Sequence, residues 1–247
     1  MAGRNSGTGS RRGSAKWASQ TRLSGTGAVA LAAQSRWPDF AIAIPVSVVP
    51  PLLRLPCAHF MTSAGTHWNT LVRYPSSDPM EVQHGIDVRV RRGGGGTLTF
   101  QYVLRADMPH IRVPPSQPPG RADELWKHTC FESFITAAGM PGYYELNFSP
   151  SRQWAIYRFN AYREGMSPTD VTTPPEVVAR CLDDRLELDV TVGLRDLTAL
   201  QAARTLKLAL SAVVEDDSGT LSYWALKHSP GKPDFHHSDG FVLELPT

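Results

Sequence analysis

No apolar run in these 247 residues approaches the roughly 20 needed to span a bilayer, so the sequence predicts a soluble protein. Cysteine is scarce. Cys57, Cys130 and Cys181 show neither the close spacing of a zinc ribbon or redox pair nor the dense, even set of a secreted disulfide scaffold. No repeat period is visible. No dinucleotide-type glycine loop follows a strand either, because the run Gly93–Gly96 joins two strand-like stretches. Acidic residues are nearly missing from the first sixty positions, where seven of the 25 Lys/Arg face only one of the 23 Asp/Glu, Asp39. Residues 61–247 therefore keep 18 basic and 22 acidic side chains, and the formal charge of +2 averages two unlike segments. The longer segment is mildly acidic and offers no basic stripe for nucleic acid.

Residues 1–60 read as a disordered basic tail. Gly, Ser and Arg dominate its opening, with no period of 2 or 3.6, and such a composition buries too little apolar surface to offset ordering entropy. The stretch FAIAIPVSVVPPLLRLP is apolar but broken by Pro45, Pro50 and Pro51, which prevents a stable helix. The expectation is an over-extended start ahead of Met61 and a cytoplasmic protein. The pair Arg11–Arg12 with GAVALAAQ leaves a twin-arginine-type export signal as the alternative. A nucleic-acid arm is disfavoured, since five Arg/Lys over the first 22 residues are sparse for that role.

From about residue 66 onward, strand signals dominate. IDVRVRR alternates Ile86, Val88 and Val90 with charged neighbours, and TLTFQYVLR follows across the glycine run as the second half of a hairpin. HIRVPPSQPPGRADE is too proline-rich for a central strand. LWKHTCFESFITAA and YYELNFSPS pair across GMPG, and QWAIYRFNAYR continues the meander. EVVARCL pairs with RLELDVTVGL around Asp183 and Asp184, and LKLALSAVVED with LSYWALKHS across DSG. Only RDLTALQAAR has helical spacing. Roughly ten antiparallel strands joined by turn chemistry predict one all-β domain over 61–247, a β-sandwich or jelly roll.

Candidate chemistry begins at LWKHTCFESF. Strand alternation places Trp126, His128, Cys130, Glu132 and Phe134 on one face. Glu132 is costly to bury between Cys130 and Phe134 unless paired, and Arg121, Arg158 and Arg163 are possible partners. Cys130 reads as a small buried thiol rather than a nucleophile, because nucleophiles sit at exposed turns. A metal enzyme would need His128 and Cys130 to meet His236 and His237 after folding. A hydrolase would use Glu132 with Glu145 on paired strands. The stronger signal is the density of rings and amides in YYELNFSPSRQWAIYRFNAYR, where Tyr144, Asn147, Trp154 and Arg163 stand among seven aromatic residues. Flat rings beside fixed hydrogen-bonding groups suit a sugar or another small polar ligand. A Pro/Gly-anchored C-terminal loop adds His228 and His236 at a sandwich rim. This pattern favours a binding domain over an enzyme, with site residues Trp126, His128, Glu132, Tyr144, Asn147, Trp154, Arg163, His228 and His236.

RADELWKHTCFESF, YYELNFSPSRQWAIYRFNAYREGM and LSYWALKHSPGKPDFHHSDGFVLEL together resemble the bacterial DOMON-like domain family, in its MurB-like-labelled subgroup, from about Thr70 to the end of the chain. The resemblance implies an immunoglobulin-like β-sandwich related to DOMON domains and family 9 carbohydrate-binding modules, whose relatives bind haem or sugars. It transfers no ligand residues. A haem reading would require a methionine and a histidine as axial ligands, with Met108, Met140 and Met166 as the available methionines.

Overall fold

The structure is a computed structural model that describes residues 67–75 and 85–247. The expected tail, 1–60, and the start at Met61 lie outside the described residues. Among the described residues, no helix is long and apolar enough to cross a membrane.

Among the described residues, thirteen strands form two facing layers. One layer holds β2 (Gly85–Gly93), β3 (Thr97–Arg105), β10 (Arg185–Gly193) and β9 (Glu176–Cys181), neighbours in that order. The other runs from β4 (Gly120–Arg121) through β7 (Gln153–Phe159), β6 (Tyr143–Phe148), β5 (Cys130–Ala137) and β11 (Thr205–Glu215) to β12 (Leu221–Ala225). Short strands β8 (Ser167–Pro168) and β13 (Leu243–Pro246) add to β7 and β11. β1 (Asn69–Arg73) belongs to both layers. Its residues Asn69–Leu71 pair with β2, and Val72 and Arg73 pair with β12, so the two layers are one curled sheet. Pairing is antiparallel except where Gly120 and Arg121 lie parallel to Gln153 and Trp154.

The alternation in β2, β3 and β10 does what the sequence requires. Ile86, Val88, Val90, Phe100, Tyr102, Leu188 and Val190 point inward, while Asp87, Arg105, Arg180, Glu187 and Asp189 form an ion-pair mesh on the outer face. From the other layer, Phe131, Ile135, Tyr144, Leu146, Phe148, Trp154 and Ile156 meet them in one core. The Phe100 and Phe148 rings are 5.7 Å apart and those of Tyr102 and Phe131 4.9 Å. The buried Tyr102 hydroxyl donates across the layers to the Glu132 carbonyl at 3.0 Å, which spares it the cost of an unmet donor.

The two layers differ on their outer faces. β5, β6 and most of β7 are buried on both sides, because a second apolar cluster covers them from outside. Phe134, Tyr143, Tyr157 and Phe159 form it with Leu125, Trp126, Phe235 and Phe241. The cover comes from two connections: the turn Leu125–Lys127 and the long segment between β12 and β13.

The sequence-based strands are present with the expected hairpins, including Leu186 opposite Cys181 and Glu215 opposite Leu221. Leu125–Lys127 departs from expectation, being a 3-10 turn after Glu124 in the left-handed region (φ 61°). The strand begins at Cys130, so period-2 reasoning does not extend back to Trp126 and His128. The helical segment shrinks to α1 (Thr198–Gln201).

Candidate functional site

The curl of the sheet and the two covering connections leave a cleft of about 450 Å³ on the outer face of β5, β6, β11 and β12. Its floor is set by cross-strand register. Ser211, Glu132 and Asn147 lie side by side across β11, β5 and β6, and Glu145 is two residues from Asn147 on the same face. All four are nearly inaccessible, at 1%, 3%, 0% and 5% exposure respectively. Trp126, Phe159, Tyr223 and Phe235 provide aromatic walls, and Arg163 and His236 close the rim.

A polar knot holds that rim. Arg163, itself in the left-handed region at φ 55°, donates to Asp234 Oδ1 at 2.8 Å. Tyr162 donates its hydroxyl to the other oxygen of the same carboxylate. Burial opposes ionisation of Asp234, but the bonds from Tyr162 and Arg163 outweigh it and keep the carboxyl below its ordinary range. The Asp234 Oδ1 atom also accepts from the His236 N–H at 3.2 Å. The loop after β7 and the loop after β12 are thereby tied at one carboxylate.

His236 Nδ1 is 2.8 Å from the Tyr143 hydroxyl, which accepts from the Arg163 N–H at 3.2 Å. Desolvation, with the positive charge of Arg163, lowers the His236 pKa to about 4, so the ring is neutral at pH 7. With the Tyr143 proton given to Nδ1, the Nε2–H faces Glu145 Oε2 at 3.8 Å.

The two glutamates are the unusual feature. Burial raises the pKa of both, and the charge of Glu145 raises Glu132 further. Ser211 and Arg163 pull Glu132 part of the way back, although the Ser211 hydroxyl lies outside ordinary hydrogen-bond geometry. Asn147 donates to Glu145 Oε1 at 2.8 Å, while its own Oδ1 is buried without a partner. Buried on one face, the two carboxyls resist ionising together.

Of the residues expected from sequence, the cleft gathers Trp126, Glu132, Arg163 and His236, with Asn147 behind the glutamates. The other four are elsewhere. Tyr144 and Trp154 point into the core between the layers, Tyr144 under the Arg158 guanidinium at 5.1 Å. His128 turns outward to Glu215 Oε2 at 2.7 Å, a carboxylate it shares with Arg112. His228 bonds the Val72 carbonyl at 2.7 Å, tying the loop after β12 to β1. Of the arginines considered as partners for Glu132, Arg121 pairs with Asp123 and Arg158 donates to the Tyr143 carbonyl, leaving Arg163 as the one that acts on it. Sequence reasoning counted Phe159 only among the seven rings of its stretch and passed over Tyr223 and Ser211. Their signal is parity: Tyr223 alternates with the core residue Trp224, and Ser211 lies opposite Glu132.

Metal chemistry from His128, Cys130 and His236 has no geometric basis here. Among the described residues no three His, Cys, Asp or Glu side chains converge on a metal position. Burial pushes the Cys130 thiol up, which disfavours the thiolate a nucleophile needs. Haem does not fit either. Met108 and Met140 pack on the core, and Met166 shares the cleft only with a histidine whose two ring nitrogens face Tyr143 and Glu145.

The chain resembles in structure a candidate carbohydrate-binding protein from Bacteroides uniformis ATCC 8492, with a TM-score of 0.56 and 15% identity over 73% of this chain and 86% of that one. The shared fold is a β-sandwich. Family 9 carbohydrate-binding modules from Caldicellulosiruptor kristjanssonii, in complex with glucose and with cellotriose, match at TM-scores of 0.45 and 0.43. Both are 10% identical and cover 73% of this chain, and 83% and 82% of their own. No protein-family model matches the sequence, and no curated protein matches it at a significant level.

Proposed function

We propose that the protein is a DOMON-like binding domain that holds a carbohydrate or a similar small polar ligand in the cleft over β5, β6, β11 and β12, without transforming it. One observation carries this reading: rings of Trp126, Tyr223 and Phe235 stand beside buried carboxyl groups in one concave space of about 450 Å³. Rings supply apolar area that stacks on the flat C–H face of a sugar, and fixed polar groups select its hydroxyls. The sandwich shared with a candidate carbohydrate-binding protein agrees with it.

The test is calorimetric titration of the full chain with glucose, cellobiose and cello-oligosaccharides. Tyr223→Ala and Trp126→Ala should each weaken binding about tenfold, whereas Trp154→Phe, in the core, should not. Saturable binding of none of these sugars, or unchanged affinity in both alanine variants, overturns the assignment.

A hydrolase is the second reading, favoured by the buried Glu132–Glu145 pair, since glycoside hydrolysis needs one neutral and one ionised carboxyl group. Aryl glycosides check it. Turnover that disappears in Glu132→Gln supports hydrolysis, and turnover that survives it excludes this pair.

A further inference from the structure

We propose that the ligand carries an ammonium group, which the cleft receives between Glu132 and Glu145; on the carbohydrate reading above, on which the ring portion rests, the ligand is an amino sugar.

The floor of the cleft presents two carboxyl groups, Glu132 and Glu145. Among the described residues neither glutamate forms an ion pair with a lysine or arginine, although the charge of Arg163 acts on both, and His236, 3.8 Å from Glu145, is neutral at pH 7. The cations at the rim are already matched by acids of their own. Arg163 pairs with Asp234 at 2.8 Å and Lys127 with Glu124 at 2.6 Å. The second observation is independent of the carboxyls. Asn147, fully buried and opposite Glu132, has no donor for its Oδ1, and the Ser211 hydroxyl on the other flank of Glu132 makes no regular hydrogen bond. An ammonium brings three donors and no acceptor, which is the complement of this floor. The aromatic walls suit it as well, because ring faces attract cations.

Proton balance follows from the same inventory. In the free protein burial holds the pKa of both carboxyls up, and the charge of Glu145 raises Glu132 further. An entering ammonium offsets that burial and favours ionisation of both carboxyls, so a proton held by the pair leaves to solvent. The titratable groups facing the pair are Cys130 on β5, Tyr143 and Tyr157 on β6 and β7, Lys127 from the turn before β5, and Arg163, Asp234 and His236 from the two rim loops. Tyr223 faces it from β12. Burial and the charge of Arg163 lower the His236 pKa to about 4, so it is neutral at pH 7.

Titration calorimetry of the full chain with methyl glucosaminide, its N-acetyl form, methyl glucoside and butylamine tests this, run in buffers of different ionisation heat. The glucosaminide should bind about tenfold or more tighter than the glucoside and the N-acetyl form, with a proton release that the two neutral sugars lack. Glu132→Gln and Glu145→Gln should lose both the preference and the release, with unchanged circular dichroism showing that they fold. Equal or better binding of the neutral glucoside overturns the ammonium and leaves the carbohydrate reading standing. Butylamine binding as well as the glucosaminide supports the ammonium and overturns the sugar. Binding of none of the four overturns both.

Discussion

Glu132 is held against its own chemistry. Its folded pKa is raised above the usual carboxylate value by burial and by Glu145, so its contribution to stability is present below about pH 4.5 and is lost as pH rises through the folded value. Glu132→Gln should therefore stabilise the ligand-free protein by on the order of 1 kcal/mol at pH 8 and by almost nothing at pH 4, measured by urea denaturation at both. His236 acts in the opposite direction. Its folded pKa is depressed to about 4, so the unfolded chain takes up the proton first, and stability falls as pH drops from about 6.5 towards 4. His236→Gln should flatten that acid limb in a plot of Tm against pH. A slope unchanged by the substitution would place the acid sensitivity elsewhere.

At the scale of elements, the turn between β5 and β6 decides where Glu145 stands. Gly142 closes it at φ +72°, and a Cβ there would lie 1.9 Å from the Phe159 carbonyl oxygen and 2.7 Å from the Asn160 carbonyl carbon. Neither is the movable end of a side chain. Gly142→Ala should cost about 3 kcal/mol or more, read as a lower urea midpoint with unchanged m. The glycine and proline punctuation around such turns made the hairpins legible, as did the alternation of β2, β3 and β10. The faces of β5, β6 and β7 were harder to read. These strands are apolar on both sides, so hydrophobic alternation could not say which side meets the other layer. Tyr144 and Trp154 were placed in the site by ring density alone and belong to the core. The parity of Glu145 and Asn147 points instead to Tyr143, and the same rule in β12 points to Tyr223. β1 and β13 escaped notice because NTLVR and LELP are short and lack a sustained alternating pattern. Trp126 reached the cleft by a route the sequence did not show, on a 3-10 turn rather than on the strand.

At the scale of the molecule, both layers share one core and one strand, so they should open together. Amide exchange at Phe100 in β3 and Phe134 in β5 should report the same global free energy. A difference above about 1 kcal/mol between them would mean that the layers unfold separately. Leu71→Ala, in the shared strand and 2% exposed, should lower both values together by about 2–4 kcal/mol. The position of β1 also has a consequence during synthesis. Its sheet partner Ala225 follows Val72 in the chain by 153 residues, which a ribosome adds in roughly 8–30 seconds at 5–20 residues per second. Throughout that interval one half of β1 can zip to β2 while the other half has no partner, so the seam of the sandwich stays unstitched until β12 has been made.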